Sequence, residues 1–360
     1  MIIINSSVIT ANEILEDYAV VINGDTIEKL LPMNEVNTEN YDNVINAKGG
    51  YVSAGFIDIH SDYIEGIIAP RPTTIMDFNI GIKESERILS SHGITTMFHS
   101  LSIYKEDLFG HKPVRQPDNV NKLIHAIHRT HSEKHLIRHR MHARFELDSV
   151  EMMDTIKEHI EEDRIHLLSF MDHTPGQGQY RDIEKYRLTM KGYKDLSDDE
   201  INEQIEFKKE LSRLSVEEMG NMSELARSKG IAIASHDDDA TEKIDFNESL
   251  NTSISEFPIT MEVAKYAHGK GMYTLAGAPN IMLGGSHSGN LNAKDAIMEG
   301  CISILCSDYY PPAMLHSVFK LHREADYSLV DGFNLITLNP AKAVQMDDEI
   351  GSIEAGKKRS

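Results

Sequence analysis

Tryptophan is absent and cysteine nearly so, with only Cys301 and Cys306 in 360 residues. They lie in CISILC, and an odd spacing along a strand puts the two thiols on opposite faces. They can form neither a disulfide nor a metal knuckle and are read as reduced core thiols. Long apolar runs are also missing. No stretch approaches the roughly 18 residues needed to span a bilayer. The amino terminus, MIIINSSVIT, has neither the basic start nor the small-residue cleavage site of a signal peptide. Positive charge is scarce, 36 Lys and Arg against 57 Asp and Glu, for a net charge of -21. A surface this acidic repels phosphate backbones and anionic headgroups except at local patches. Neither nucleic acid nor membrane is therefore expected as a partner, and the cytoplasm is the expected location. No GxxxxGK[ST] and no GxGxxG occurs, which argues against a P-loop or dinucleotide-binding fold.

The chain is 40% hydrophobic, enough for one large domain with accessories and too apolar for disorder. Residues 1–50 read as a small β unit, in which AVVINGDTIEKL gives two apolar runs around Asn23-Gly24, a dipeptide suited to a hairpin turn. From residue 51 to about 330, short apolar strands alternate with amphipathic helices. Eight strands are expected, at 55–60, 94–100, 141–146, 165–173, 231–236, 253–258, 272–279 and 302–308. That number fits a closed (β/α)8 TIM barrel better than an open doubly wound sheet. A tract rich in Glu and Lys, residues 176–229, reads as a helical insertion that could close over the barrel mouth.

Histidine is abundant, at 18 residues. Catalytic groups of a TIM barrel sit at the carboxyl ends of its strands, and residues two apart on a strand face the same way. On that basis Asp58, His60 and Asp62 share one face of the first strand. Met141, Ala143 and Phe145 pack on helices, which turns His142, Arg144 and Glu146 inward. Ser169, Met171 and His173 share a face, Ala232, Ala234 and His236 point in, and Cys306 and Asp308 end the last strand in phase. His60, Asp62, Glu146, His173, His236 and Asp308 form a mixed nitrogen and oxygen donor set at one rim. Such a set suits one or two divalent ions, Zn, Mn, Fe or Mg. By contrast His125, His128 and His131 recur on an outer helix and read as a solvated stripe. The loop GAPNIMLGGSHSGN carries glycines whose amides could cradle an anion.

VSAGFIDIH after a β-rich start, GITTMF, a late SD and the carboxyl-terminal LNPAKAVQMDDEIGSIEAGK together resemble the amidohydrolase superfamily over essentially the whole chain. HSDYIE, APRPT, FMDHTPGQGQY, SHDDD, SEFP, GGSHSGN and CSDYYPP further resemble its diphosphatases of the carbon-phosphorus lyase pathway. The resemblance implies a metal-dependent barrel with a small β-sandwich domain to which residues 331–360 return. Relatives continue past GKKRS with an Ala-Asp-Leu strand, so that domain is expected to lack its last strand. The implied reaction cleaves a ribose 1-methylphosphonate 5-triphosphate to the 5-phosphate and diphosphate. The implied partner is a small phosphorylated sugar, with a homodimer as the expected assembly. Asp308 becomes the base that takes a proton from the attacking water. Arg71, Arg144 and Arg181 become candidates for meeting the phosphates, with Glu256, Ser286 and His287 as further substrate contacts. The fourth-strand segment RIHLLSFMDHTPG has no lysine to be carbamylated, which argues against a cyclic amide hydrolase. The competing readings are a deaminase or amide hydrolase on the same barrel, and a non-catalytic relative that only binds.

Overall fold

The computed structural model describes residues 1–103, 113–176, 183–193, 197–285 and 290–359. The amino-terminal unit contains β1 (Ile2–Ile9), β2 (Ile14–Asn23), β3 (Thr26–Pro32), β4 (Val44–Asn46) and β5 (Tyr51–Val52), in the order β3-β2-β1-β4 with β5 also paired to β1. Strand alternation sends Val20 and Ile22 to one buried cluster and Ala19 and Val21 to another, so this sheet is covered on both faces. The hairpin expected around Asn23-Gly24 is present one residue further on. Asn23 still pairs with Thr26, and Gly24 with Asp25 makes the turn. Gly24 has φ 60°, in the left-handed region that a residue without Cβ enters at no steric cost. The carboxyl-terminal segment returns to this unit. Ile27 N donates to Lys357 O and Gly356 N donates to Ile27 O, both at 2.8 Å, and Ile353 fills the Val20 cluster.

Eight parallel strands follow: β6 (Phe56–Ser61), β7 (Ile94–Ile103), β8 (Arg138–Glu146), β9 (Leu167–Met171), β10 (Ala232–His236), β11 (Ile254–Glu256), β12 (Tyr273–Gly277) and β13 (Ile304–Cys306). Each neighbours the next in sequence, and a parallel bridge between Ser61 and Asp308 joins the last to the first. The sheet is therefore a TIM-type barrel, with all eight expected strands in their places. Helices α1 (Tyr63–Ile68), α2 (Phe78–Ser91), α3 (Pro117–Arg129) and α4 (Met153–Glu161) cover its first half. Met141, Ala143 and Phe145 of β8 pack with Leu123, Ile127 and Ile156 of these helices. Inside the barrel lie Phe98, Leu167, Ala234, Ile254, Leu275 and Ile304, and Ala341, Ala343 and Val344 join the same cluster.

The tract 176–229 contains α5 (Ile183–Tyr193), α6 (Asp198–Glu210) and α7 (Val216–Ser228). Tyr186, Met190, Ile201 and Ile205 form a small core of their own between α5 and α6. α7 differs: Met219, Met222 and Ala226 enter the main barrel core, so it is one of the ring helices. Its start is set by a capping box between Ser215 and Glu218. Of the outer histidine stripe, His131 is exposed as expected and the other two are not. His125 and His128 are half-buried, with ring contacts to His159 at 5.6 Å and His131 at 5.5 Å, because α3 leans on α4 and on the turn after it.

Candidate active site

At the carboxyl end of the barrel, Asp308 N donates to His60 O and Asp62 N donates to Asp308 O, each at 3.1 Å, which fastens β13 to β6. The residues just beyond three strands hold left-handed backbone without being glycine: Asp237 (φ 50°), Phe257 (φ 53°) and Asp308 (φ 57°). Such conformations cost of order 1–3 kcal/mol and persist where surrounding structure enforces them, as around functional sites. Here each turn aims a side chain back across the barrel mouth.

Among the described residues three imidazoles share this mouth, His60 and His236 with ring centres 5.4 Å apart and His173 and His236 at 6.0 Å. Each presents Nδ1 to a carboxylate: His60 to Glu256 at 2.9 Å, His173 to Glu146 at 2.7 Å and His236 to Asp237 at 2.9 Å. Beneath them His142 is committed to the protein. Its Nδ1 donates to Ile59 O at 3.0 Å, so Nε2 accepts from the Ser169 hydroxyl at 2.9 Å. Burial pushes the His142 imidazole down to about 3 and, with Arg144 and His236 adding repulsion, holds His60 well below its ordinary range. Burial acts oppositely on acids. Glu256 is raised, and Asp308 is pushed up to about 7 by burial and by the neighbouring Asp62, against the pull of Arg144. His60, Arg144, His236, Asp237, Asn280 and Asp308 line a cavity of about 340 Å³. Arg144 Nε is buried there with no hydrogen-bond partner among the described residues.

The expected positions divide as follows. The structure brings His60, Glu146, His173, His236, Arg144, Glu256 and Asp308 to one mouth. Asp62 borders the mouth beside Asp308, and its carboxylate accepts from Arg115 at 3.1 Å, where Glu65 joins the same guanidinium at 2.9 Å. Arg71 is exposed in the loop after α1, outside the residues that line the cavity. Arg181, Ser286 and His287 lie outside the described residues. The shared face assigned to Asp58, His60 and Asp62 does not hold. β6 slips register between Asp58 and Ser61, and Ile57 and Ile59 enter the barrel interior while Asp58 Oδ1 accepts from Ser307 N at 3.1 Å. A bulge breaks the period of two on which that assignment rested. Sequence reasoning missed Asp237 as a donor, although it follows His236 in SHDDD, and took Glu256 only as a substrate contact. It missed Arg115 because nothing local ties it to Asp62.

Comparison with known proteins agrees with this architecture. Residues 153–358 match the amidohydrolase family, and residues 2–40 match the NagA composite domain. The chain is a member of the amidohydrolase family. This amidohydrolase is 31% identical over 362 residues to the α-D-ribose 1-methylphosphonate 5-triphosphate diphosphatase of Escherichia coli strain K12, spanning 99% of this chain and 93% of that protein. Its fold is shared with N-acetylglucosamine-6-phosphate deacetylase from Pasteurella multocida, at 14% identity and a TM-score of 0.64 over 99% of this chain and 93% of the other. Molinate hydrolase has the same fold, at 14% identity and a TM-score of 0.63 over 99% and 87%. Amidohydrolases are hydrolases that generally use divalent metals.

The residues present fit such an ion. His60, His236 and Glu256 offer donor atoms within 4.8 Å of one another, and so do His173, His236 and Asp237. Glu256 Oε2 is buried without a hydrogen-bond partner among the described residues, a cost a cation would remove. Imidazoles held at one nitrogen by a carboxylate are the usual outer arrangement of metal-ligating histidines. The donor groups differ from the expected set, since neither contains Asp62, Glu146 or Asp308. Glu146 stands behind His173, and Asp308 stands across the cavity.

Proposed function

We propose that this amidohydrolase hydrolyses α-D-ribose 1-methylphosphonate 5-triphosphate to α-D-ribose 1-methylphosphonate 5-phosphate and diphosphate, in the cytoplasm. The observation that carries the reading is Arg144. It is a guanidinium with a buried, unpartnered Nε beside a cavity otherwise lined by imidazoles and carboxylates. A neutral ring amide or base would leave that cation without a partner, whereas a phosphate oxygen would satisfy it. The near full-length likeness to the diphosphatase of Escherichia coli supports the same substrate class.

His60, His236 and Glu256 would hold a divalent ion, with His173 and Asp237 available for a second. Such an ion, when bound, acidifies water and offsets charge on a phosphoryl oxygen. Asp308 takes the proton from the attacking water. The water oxygen bonds to the α-phosphorus, and the bond from that phosphorus to the bridging oxygen breaks. The electron pair leaves with diphosphate. Arg144 faces the growing negative charge, and Glu256 and Glu146 keep the His60 and His173 rings oriented. His142, fully engaged by Ile59 and Ser169, keeps the floor of the site rigid.

Phosphorus NMR of the protein incubated with the ribose triphosphate and, separately, with nucleoside triphosphates tests this. The expected result is diphosphate release, faster from the ribose compound. Deacylation or deamination activity with the triphosphate left intact overturns the assignment.

A further inference from the structure

A second group of histidines lies at the opposite, amino-terminal end of the barrel, where β7 and β8 begin. Glu86 projects from α2, His139 from β8, and His135 from the segment leading into β8. Their donor atoms lie within 4.8 Å of one another. Three groups converge on one oxygen, Glu86 Oε2: His135 Nδ1 at 2.9 Å, the Leu136 backbone N–H at 3.0 Å and His139 Nε2 at 3.3 Å. The outer nitrogen of each ring is also engaged. His135 Nε2 lies 3.4 Å from Glu133 Oε2, and His139 Nδ1 lies 2.8 Å from His99 Nε2. His99 and His139 stack at 5.2 Å, and His99 Nδ1 is buried without a partner among the described residues. The side chains are closed off from solvent, at 8% exposure for Glu86, 6% for His135 and 0% for His139. A cleft of about 790 Å³ lined by His135, His139, Glu133 and Thr95 gives an ion a way in.

We infer that Glu86, His135 and His139 form a second divalent-cation site, distinct from the barrel mouth and of a kind suited to zinc. Two imidazole nitrogens and a carboxylate oxygen make a three-ligand N/N/O set, which zinc completes to four with water. The outer contacts are those of metal-ligating histidines, with the far nitrogen of His135 held by a carboxylate and that of His139 by a second ring. The ligands come from a ring helix, a barrel strand and the segment leading into that strand, all at the face of the barrel that serves stability rather than catalysis. The site therefore clamps α2 to the start of β8.

Equilibrium dialysis of the metal-stripped full chain against zinc, read by elemental analysis, tests the site. Wild type is expected to hold one equivalent more than His135→Ala, and His236→Ala is expected to keep that equivalent. Zinc is expected to raise the unfolding temperature of His236→Ala and not that of the His135→Ala/His236→Ala double variant. Because a substituted cluster could destabilise the fold, zinc-edge anomalous diffraction on wild-type crystals supplies an independent reading. A peak between Glu86, His135 and His139 is expected. Anomalous signal confined to the barrel mouth, or equal zinc content in wild type and folded His135→Ala, overturns the inference and leaves a metal-free network with protons on both ring nitrogens facing Glu86.

Discussion

His60 and Glu256 meet at 2.9 Å in the barrel mouth, although 196 positions separate them along the chain. Both side chains are almost fully shielded, at 3% and 0% exposure, so the pair sits in a medium where an unmatched charge is costly. It joins the first barrel strand to the sixth and orients one imidazole of the candidate metal site.

Glu256→Gln tests that pair. The amide keeps the shape and removes the charge, so metal affinity is expected to fall by about 10- to 100-fold, in line with loss of a metal-orienting carboxylate. Metal content after dialysis against a buffered ion reads the change. Unaltered affinity in the folded variant would remove Glu256 from the site.

Asp308→Asn should fold and retain metal, yet turn over about 10² to 10⁴ times more slowly, because an amide cannot accept the water's proton. Circular dichroism and metal analysis establish the first two points, and kcat establishes the third. Wild-type turnover would make another group the base.

Arg144→Ala is expected to lower kcat/KM for the triphosphate by about one to two orders of magnitude, the worth of roughly 1.5–3 kcal/mol for a hydrogen bond to a charged group. Metal content should not change. If the loss appears as lost metal instead, Arg144 supports the donor residues rather than meeting phosphate.

The tract around α5 and α6 is proposed as a cover for the bound substrate. Its helices rest on a small core of their own, centred on Tyr186 and Ile201, which is the kind of unit that can move without disturbing the barrel. Limited proteolysis within residues 183–210 should slow when a non-hydrolysable triphosphate saturates the enzyme. Equal cutting rates with and without it leave a static helical insertion.

Hydrolysis in ¹⁸O water should place the label in the ribose 5-phosphate and none in diphosphate, since attack at the α-phosphorus forms the new oxygen bond on the sugar side. Mass spectrometry of the separated products distinguishes this from attack at the β-phosphorus, which would label diphosphate and move the reacting centre one phosphoryl group away.

Read alone, the sequence determined the eight alternating strands and helices and the outward face of Met141, Ala143 and Phe145 opposite His142 and Arg144. It also placed His60, His173 and His236 at strand ends. These follow from local periodicity, which a few neighbouring residues suffice to set. Pairings across the barrel depend on closure and could only come from the tertiary structure. Glu256 reaches His60 because β11 and β6 face each other in a closed sheet. Asp237 reaches His236 because left-handed backbone at its own position turns the chain. Asp62 is paired because Arg115, more than fifty residues on, supplies a cation beside Glu65. The slip in β6 shows the limit of strict alternation: one bulge sends Ile57 and Ile59 to the interior and leaves Asp58 bound to Ser307. The histidine group at the other end was invisible for the same reason. His99, His135, His139 and Glu86 share no local pattern, and only the packing of α2 against the starts of β7 and β8 brings their nitrogens and oxygens together.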